Sequence, residues 1–377
     1  MNTAGAAQFA WLRTGEEAFS AMLAGIAQAR GQVRLETYIY AAGALGERFR
    51  AALVAASRRG VKVRVLIDAW GSFHLSQAFW APLLEAGGQV AWFNPISLDR
   101  WAYRNHRKLL VCDDTQAFIG GFNIADEYNG DGIARGWRDL GLRVTGGLAP
   151  VLADSFDDLF GRANFRHKLL QQLRRAPDRI AQGPNWKLLL SGPGLRHATL
   201  KRTITRDLQT AASVKIVSAY FLPTWRLRME LLRVSTRGGR VQLILAGQSD
   251  VKLTQLATRR LYAQFLRAGV EVYEYMPQIL HAKLIVLDDL VYVGSANLDT
   301  RSLRINYELV ARIAQPELAA QAREIFAAAL AHCQRIDRAA WRKSRSFWSK
   351  LKEDWAYFVL ARLDPYLARR QWRMMQE

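Results

Sequence analysis

The sequence predicts an α/β protein: two tandem, pseudo-symmetric α/β sandwich domains with mixed or parallel central sheets and an active site between them. Three observations lead there. Strand-like apolar runs alternate with helical patterns along most of the chain, the order of these elements occurs twice, and each repeat carries the same polar signature. A chain of 377 residues also exceeds what one small core organises.

The repeat opens with Val33–Tyr40, an apolar run that reads as a buried strand, then a helical pattern over Gly46–Arg59. Arg59-Gly60 leads into the alternating strand Val61–Ile67. The second copy keeps the order: strand Val214–Phe221, helix Arg226–Thr236, the pair Arg237-Gly238 and strand Val241–Leu245. Leu84–Val90 and Leu266–Val272 are each a helix end with a glycine stop and a new strand, and Pro95 and Pro277 close the two units. The boundaries expected are a first domain at 1–165, a connector at 166–195, a second domain at 196–335 and a tail at 336–377. The connector region is rich in Arg and Gln and reads as partly helical.

Composition narrows the partners. A formal charge of +20 favours a polyanion, either nucleic acid or an anionic membrane face. No apolar run approaches the roughly 18 residues that span a bilayer, and the N-terminal segment does not read as a cleaved signal peptide. Cys112 and Cys333 have no Cys or His neighbour at zinc-ligand spacing, so neither a disulfide framework nor a thiolate metal site is expected.

The signature carries the chemistry. The first copy is His106-Arg-Lys108-Leu-Leu-Val-Cys-Asp113 followed by Gly120-Gly-Phe-Asn123. The second is His281-Ala-Lys283-Leu-Ile-Val-Leu-Asp288 followed by Gly294-Ser295-Ala-Asn297. His and Lys two apart on a strand share a face, and the apolar run behind them buries the strand. Asp113 falls at the strand end, in a turn. Gly120 and Gly294 leave an uncrowded backbone for a ligand, and Asn123 and Asn297 offer amides to a phosphate oxygen. Two imidazoles, two ammonium groups and two amides suit a phosphodiester: one neutral imidazole attacks phosphorus, and the other, protonated, donates to the leaving alkoxide. A nucleophilic imidazole needs its far nitrogen held by an acceptor, and Asp139 and Glu308 stand at matching places to serve. No metal or other cofactor is required. Glu36 and Asp68 are further acids in apolar strands, and Arg301 and Ser302, close behind Asn297, are candidates for an auxiliary phosphate contact.

The doubled His-x-Lys-x4-Asp with its Gly-[Gly/Ser]-x-Asn resembles the phospholipase D superfamily. Leu35–Ile39, Asn105–Leu110, Gly120–Tyr128, Trp137–Asp139, Gly294–Ser302 and Asn306–Glu308 are similar to its cardiolipin synthase branch, in particular to short forms without N-terminal transmembrane helices. The resemblance implies a phosphohistidine intermediate in one site shared by two similar domains. It implies metal-independent transfer of a phosphatidyl group, from phosphatidylglycerol, to another lipid's hydroxyl. By analogy with the superfamily His106 is the nucleophile and His281 the acid, with Lys108, Asp113, Lys283 and Asp288 completing the catalytic set. Water as the acceptor, or nucleic acid as the substrate, are the alternative readings. A peripheral place on the cytoplasmic face of the cell membrane is expected. The tail holds ten Lys and Arg against five acids, and Trp341, Trp348 and Trp355 recur every seven residues, so one helix would carry an aromatic face opposite a basic one and either lie in a lipid headgroup layer or pack that stripe back on the protein's own domains. Trp372 belongs to the same cluster.

Overall fold

The computed structural model describes residues 5–94, 103–163, 180–192 and 199–367. The first sheet contains β1 (Ala7–Leu12), β2 (Gln32–Thr37), β3 (Lys62–Asp68), β4 (Gln89–Phe93), β5 (Leu109–Cys112), β6 (Gln116–Gly120) and β7 (Gly141–Gly146), in spatial order β1-β7-β6-β5-β2-β3-β4. The second contains β8 (Ile180–Gln182), β9 (Trp186–Ser191), β10 (Ser213–Ser218), β11 (Arg240–Ala246), β12 (Glu271–Tyr275), β13 (Lys283–Leu287), β14 (Leu290–Gly294), β15 (Glu308–Ala314) and β16 (Cys333–Arg335), ordered β16-β12-β11-β10-β13-β14-β15-β9-β8. Seven strands of one match seven of the other in order and direction, with β8 and β16 added at the edges. In both halves the first three strands of the repeat are parallel and the rest antiparallel.

Each strand splits its side chains between two cores because alternate residues face opposite ways. Leu110 and Cys112 of β5 join an outer core under helices Gly15–Gln28 and Ala44–Arg58. Ile285 and Leu287 of β13 do the same under helices Trp225–Thr236 and Lys252–Arg267. The intervening residues, Leu109, Val111, Leu284 and Val286, meet in one central core that both sheets share, with helices Leu148–Ala163 and Pro316–Leu330. A core continuous across the repeat fixes the two halves against each other.

Two short cross-links register the halves. His106 N donates to Tyr307 O at 2.9 Å while Tyr307 N donates to Arg104 O. In the mirror relation His281 N donates to Arg138 O at 2.8 Å while Arg138 N donates to Ile279 O. Each histidine segment therefore runs beside the residue that precedes the other half's carboxylate, Asp139 or Glu308.

Two expectations are corrected. The segment 166–195 is not only a connector: β8 and β9 lie within it and complete the second sheet, because Trp186, Leu188 and Leu189 are core residues. The tail is not one continuous aromatic helix either. Helix Arg338–Ser344 stops, and Ser346 caps a second helix, Phe347–Phe358, by accepting Ser349 N at 3.1 Å. Trp341 turns inward onto Tyr262, 5.0 Å between ring centres. The second helix packs on Lys252–Arg267 through Ala356 and Glu353 and leaves Phe347, Trp348, Leu351, Trp355 and Phe358 exposed. Trp372 lies outside the described residues.

Candidate active site

The end of β5 nearer the cleft carries Lys108 and His106 just before it; β13 begins at Lys283, with His281 just ahead. All four side chains are buried. The carboxylates come from the opposite halves. His281 Nδ1 lies 2.6 Å from Asp139 Oδ2, and His106 Nδ1 lies 3.1 Å from either oxygen of Glu308. An ionised carboxylate accepts only, so each Nδ1 is the protonated nitrogen and each Nε2 keeps its lone pair. Among the described residues, neither half by itself pairs its signature His with a carboxylate.

The ammonium groups fold back onto the same segments. Lys108 Nζ donates to His106 O at 2.8 Å, and Lys283 donates to His281 O. Lys283 Nζ also lies 2.9 Å from His281 Nδ1, but that nitrogen's one hydrogen is committed to the closer Asp139. Aromatic rings close the walls: Tyr38 sits edge-on to His106 at 5.0 Å, and Tyr128 and Trp137 flank His281 at 5.1 and 5.8 Å.

Burial sets the titration. It depresses both imidazoles, with Lys108 adding to the effect on His106 and Lys283 to that on His281, against the pull of Glu308 and Asp139. Burial also lowers Lys108 to about 7 and Lys283 to about 8. Burial alone would raise Asp139 and Glu308, but the neighbouring His and Lys outweigh it and hold both below their ordinary values.

The remaining signature residues do different work from that expected. Asp113 is not brought to the cleft. At the far end of β5 its carboxylate accepts from the backbone N–H of Arg30, Gly31 and Gln32 at 2.9, 2.7 and 2.9 Å. Asp288 takes the same post at the end of β13, accepting from Ser213 N at 2.8 Å and Ala212 N at 3.2 Å. Both are structural staples rather than catalytic groups, because a strand separates them from the histidines. Gly120 and Gly294 admit a neighbouring strand rather than a ligand: a Cβ would stand 2.6 Å from Leu140 O in one and 2.1 Å from Leu309 O in the other. Asn123 reaches the cleft wall with both amide ends engaged, accepting from Ile39 N at 3.0 Å and donating to Tyr128 Oη at 2.7 Å. Asn297 Oδ1 is buried without a hydrogen-bond partner among the described residues. Ser295 donates to Glu308, whereas the matching Gly121 leaves room for Asp139, whose oxygen would lie 2.1 Å from any Cβ there.

Sequence reasoning singled out Glu36 and Asp68 as acids in apolar strands but missed Tyr38, Tyr128 and the residues that bind those acids behind His106. Asn105 N donates to Asp68 Oδ2 at 2.7 Å and Asn105 Nδ2 to Glu36 Oε1 at 2.8 Å. Arg107 pairs with Glu36 at 3.0 Å and donates to Ser155 Oγ at 2.9 Å. The signal lay in the residues flanking each His, which differ completely between the two copies.

Among the described residues no group of three or more His, Cys, Asp or Glu is placed to hold a metal. A duplicated fold of this topology, with two imidazoles oriented by exchanged carboxylates and flanked by two lysines, defines the phospholipase D class. The chain belongs to the family described as cardiolipin synthase, PLD-like domain, whose model matches residues 22–131 and 204–330. It is 35% identical over 308 residues to the major cardiolipin synthase ClsA of Bacillus subtilis, a match covering 79% of this chain and 64% of that protein. The chain thus spans less than two thirds of that relative's length. It is 32% identical over 366 residues to cardiolipin synthase B of Salmonella typhi, covering 94% of this chain and 87% of the relative. Its fold also matches the crystal structure of phosphatidylserine synthase from Haemophilus influenzae with a TM-score of 0.76 at 15% identity, over 96% of this chain and 95% of that one.

Proposed function

We propose that the protein is a phosphatidyltransferase of the cardiolipin synthase type. It moves a phosphatidyl group from phosphatidylglycerol to the hydroxyl of a second lipid through a phosphohistidine. The observation that carries this is the exchanged pairing His106–Glu308 and His281–Asp139. Charge counting then supplies the proton inventory. Lys108 and Lys283 balance Asp139 and Glu308, so with both imidazoles neutral these groups sum to zero. A phosphodiester adds one negative charge, and one proton taken up on an imidazole restores the balance. One base and one acid result, which is what in-line displacement at phosphorus requires.

His106 is the nucleophile in this reading. Tyr128 Oη stands 3.5 Å from His281 Nε2 and accepts from Asn123, and its second lone pair can also accept from a protonated Nε2, which suits His281 to the acid role. Attack of His106 Nε2 on phosphorus breaks the bond to glycerol, which leaves with the proton of His281. His281 then takes the proton of the incoming lipid hydroxyl as that oxygen displaces His106. Lys108 and Lys283 bind the non-bridging oxygens as charge grows on them. The names of the similar synthases and the family favour a lipid acceptor over water.

The exposed ridge Phe347, Trp348, Leu351, Trp355 and Phe358 suits insertion into an anionic headgroup layer, with the net charge of +20 drawing the protein there. No helix among the described residues is long and apolar enough to cross a membrane. Incubating the purified protein with phosphatidylglycerol and resolving the lipid extract tests the reaction. Cardiolipin with released glycerol supports transfer, whereas phosphatidic acid alone would identify a hydrolase.

A further inference from the structure

Arg301 follows the second Asn of the signature, and its guanidinium fork holds a carboxylate from the far end of the chain. Nε donates to Asp364 Oδ2 at 2.8 Å and Nη2 to Asp364 Oδ1 at 2.5 Å. This two-pronged arrangement is the one by which arginine also grips two oxygens of a phosphate. The pair sits at the edge of the cleft. Arg301 O accepts from Asn306 N, Tyr307 N donates to Arg104 O, and His106 lies two residues beyond Arg104. Arg104, from the first half, lies over the Trp70 ring at 4.4 Å. Arg104 and Arg301 both lie near Tyr38, the ring against His106, with Asp68 beside Arg104. Two cations from opposite halves thus border one ring beside His106, and a phosphate there is drawn to both.

We propose that Arg301, assisted by Arg104, is a phosphate-binding subsite for the second lipid at the cleft mouth, and that Asp364 holds its place until lipid displaces it. The inference rests on the phosphatidyltransferase reading and adds a site to it. The first half offers no counterpart, because the matching residue of its signature is Glu127. The mouth is therefore one-sided, as a site receiving an acceptor rather than a second donor would be. Asp364 follows a π-helical turn, Val359–Leu363, that continues from the exposed ridge helix. Such turns are locally strained and recur at functional positions. Lipid that captures Arg301 would release the segment carrying the ridge to the same membrane.

Kinetics in phosphatidylglycerol–detergent mixed micelles test the proposal through the sign of the effect. Asp364→Asn should lower the apparent KM for phosphatidylglycerol about fivefold, and Arg301→Gln should raise it about tenfold, the size of one charge-assisted contact. In the double variant the gain from Asp364→Asn should vanish. A pair serving only to pin the tail would make both single variants shift KM the same way, or not at all, and either outcome overturns the proposal. If Arg301→Gln does not fold, Arg301→Lys retains the charge without the fork, and the same opposite sign is required of it. Inorganic phosphate competing more strongly in Asp364→Asn than in the wild type would show that the subsite takes any phosphate. Its failure to compete, with the KM pattern intact, would restrict the subsite to the lipid headgroup. Should the wild type make no cardiolipin, the transferase reading falls, and micelle binding by the same variants still decides whether the phosphate site exists.

Discussion

The two half-sites present the same His and Lys by opposite means. Around His106 the support is polar: Asn105 and Arg107 on either side of it bind Asp68, Glu36 and Ser155. Around His281 the flanking residues are Leu280 and Ala282, both in the central core. Strand register shows what replaced the acids. Glu36 pairs with Leu109 and Val217 with Leu284, the same place in each signature. Asp68 at the end of β3 corresponds to Ala246 at the end of β11. The placement of His and Lys is shared by the halves, while the support is a charged network in one and apolar in the other. A site of this kind constrains the positions of four side chains and leaves the means of holding them free.

The largest expected effect tests whether the halves share one site. His106→Ala and His281→Ala should each lower kcat by on the order of 10⁵-fold or more, with EDTA leaving the wild-type rate unchanged. Substantial activity in either variant would separate the halves into independent sites. A denaturing quench during turnover should trap an acid-labile phosphoryl adduct on His106. An adduct on His281 would reverse the roles.

Next come the exchanged carboxylates. Asp139→Asn and Glu308→Gln free the wrong tautomer of the opposite half's imidazole, so each should cost on the order of 10³- to 10⁴-fold in kcat with the fold intact by circular dichroism. A loss below tenfold in either would mean that the imidazole is oriented by something else.

The contrast in support is sharpened by imitating one half in the other. Glu36→Val alone leaves Arg107 buried without its ion-pair partner and should lower unfolding stability by about 3–5 kcal/mol. Adding Arg107→Ala copies Val217 and Ala282, and should recover a large part of that loss in chemical denaturation. Leu280→Ala, a cavity in the apolar support, should cost about 2–5 kcal/mol with no compensating partner. If Glu36→Val and the double variant are equally unstable, the network is more than a local pair.

A pH profile of kcat at saturating phosphatidylglycerol, where the bound phosphodiester keeps the proton on His281, probes the ammonium groups. Depressed imidazoles keep the nucleophile unprotonated down through 6.5, so the acid limb should lie below that value. Lys108 near 7 and Lys283 near 8 lose their charge as pH rises, so the alkaline limb should fall between those values. A plateau extending to pH 10 would show that the lysines do not carry that limb. The smallest effect on chemistry is expected at the far end of the strand. Asp113→Ala removes the acceptor for three backbone N–H groups and should cost about 1–3 kcal/mol of stability, while the folded fraction keeps most of its turnover.

The sequence alone determined the duplication, the fold class and the His, Lys and carboxylate candidates. Repetition of order and signature is written in one dimension, and strand periodicity tells which residues share a face. It could not say which carboxylate serves which imidazole, because that exchange depends on two strand-like contacts, at Tyr307 and Arg138, between segments remote in the chain. The post of Asp113 was likewise hidden, since its three donors lie at Arg30–Gln32 and meet it only when β2 pairs with β5. Spacing of seven placed Trp341 with Trp348 and Trp355, yet a break near Ser346 turned it onto Tyr262. The Arg301–Asp364 pair closes across more than sixty residues of chain. Local periodicity carries the propensity of a segment and the identity of its reactive groups; which of those groups touch is decided by the docking of the two halves about their common core.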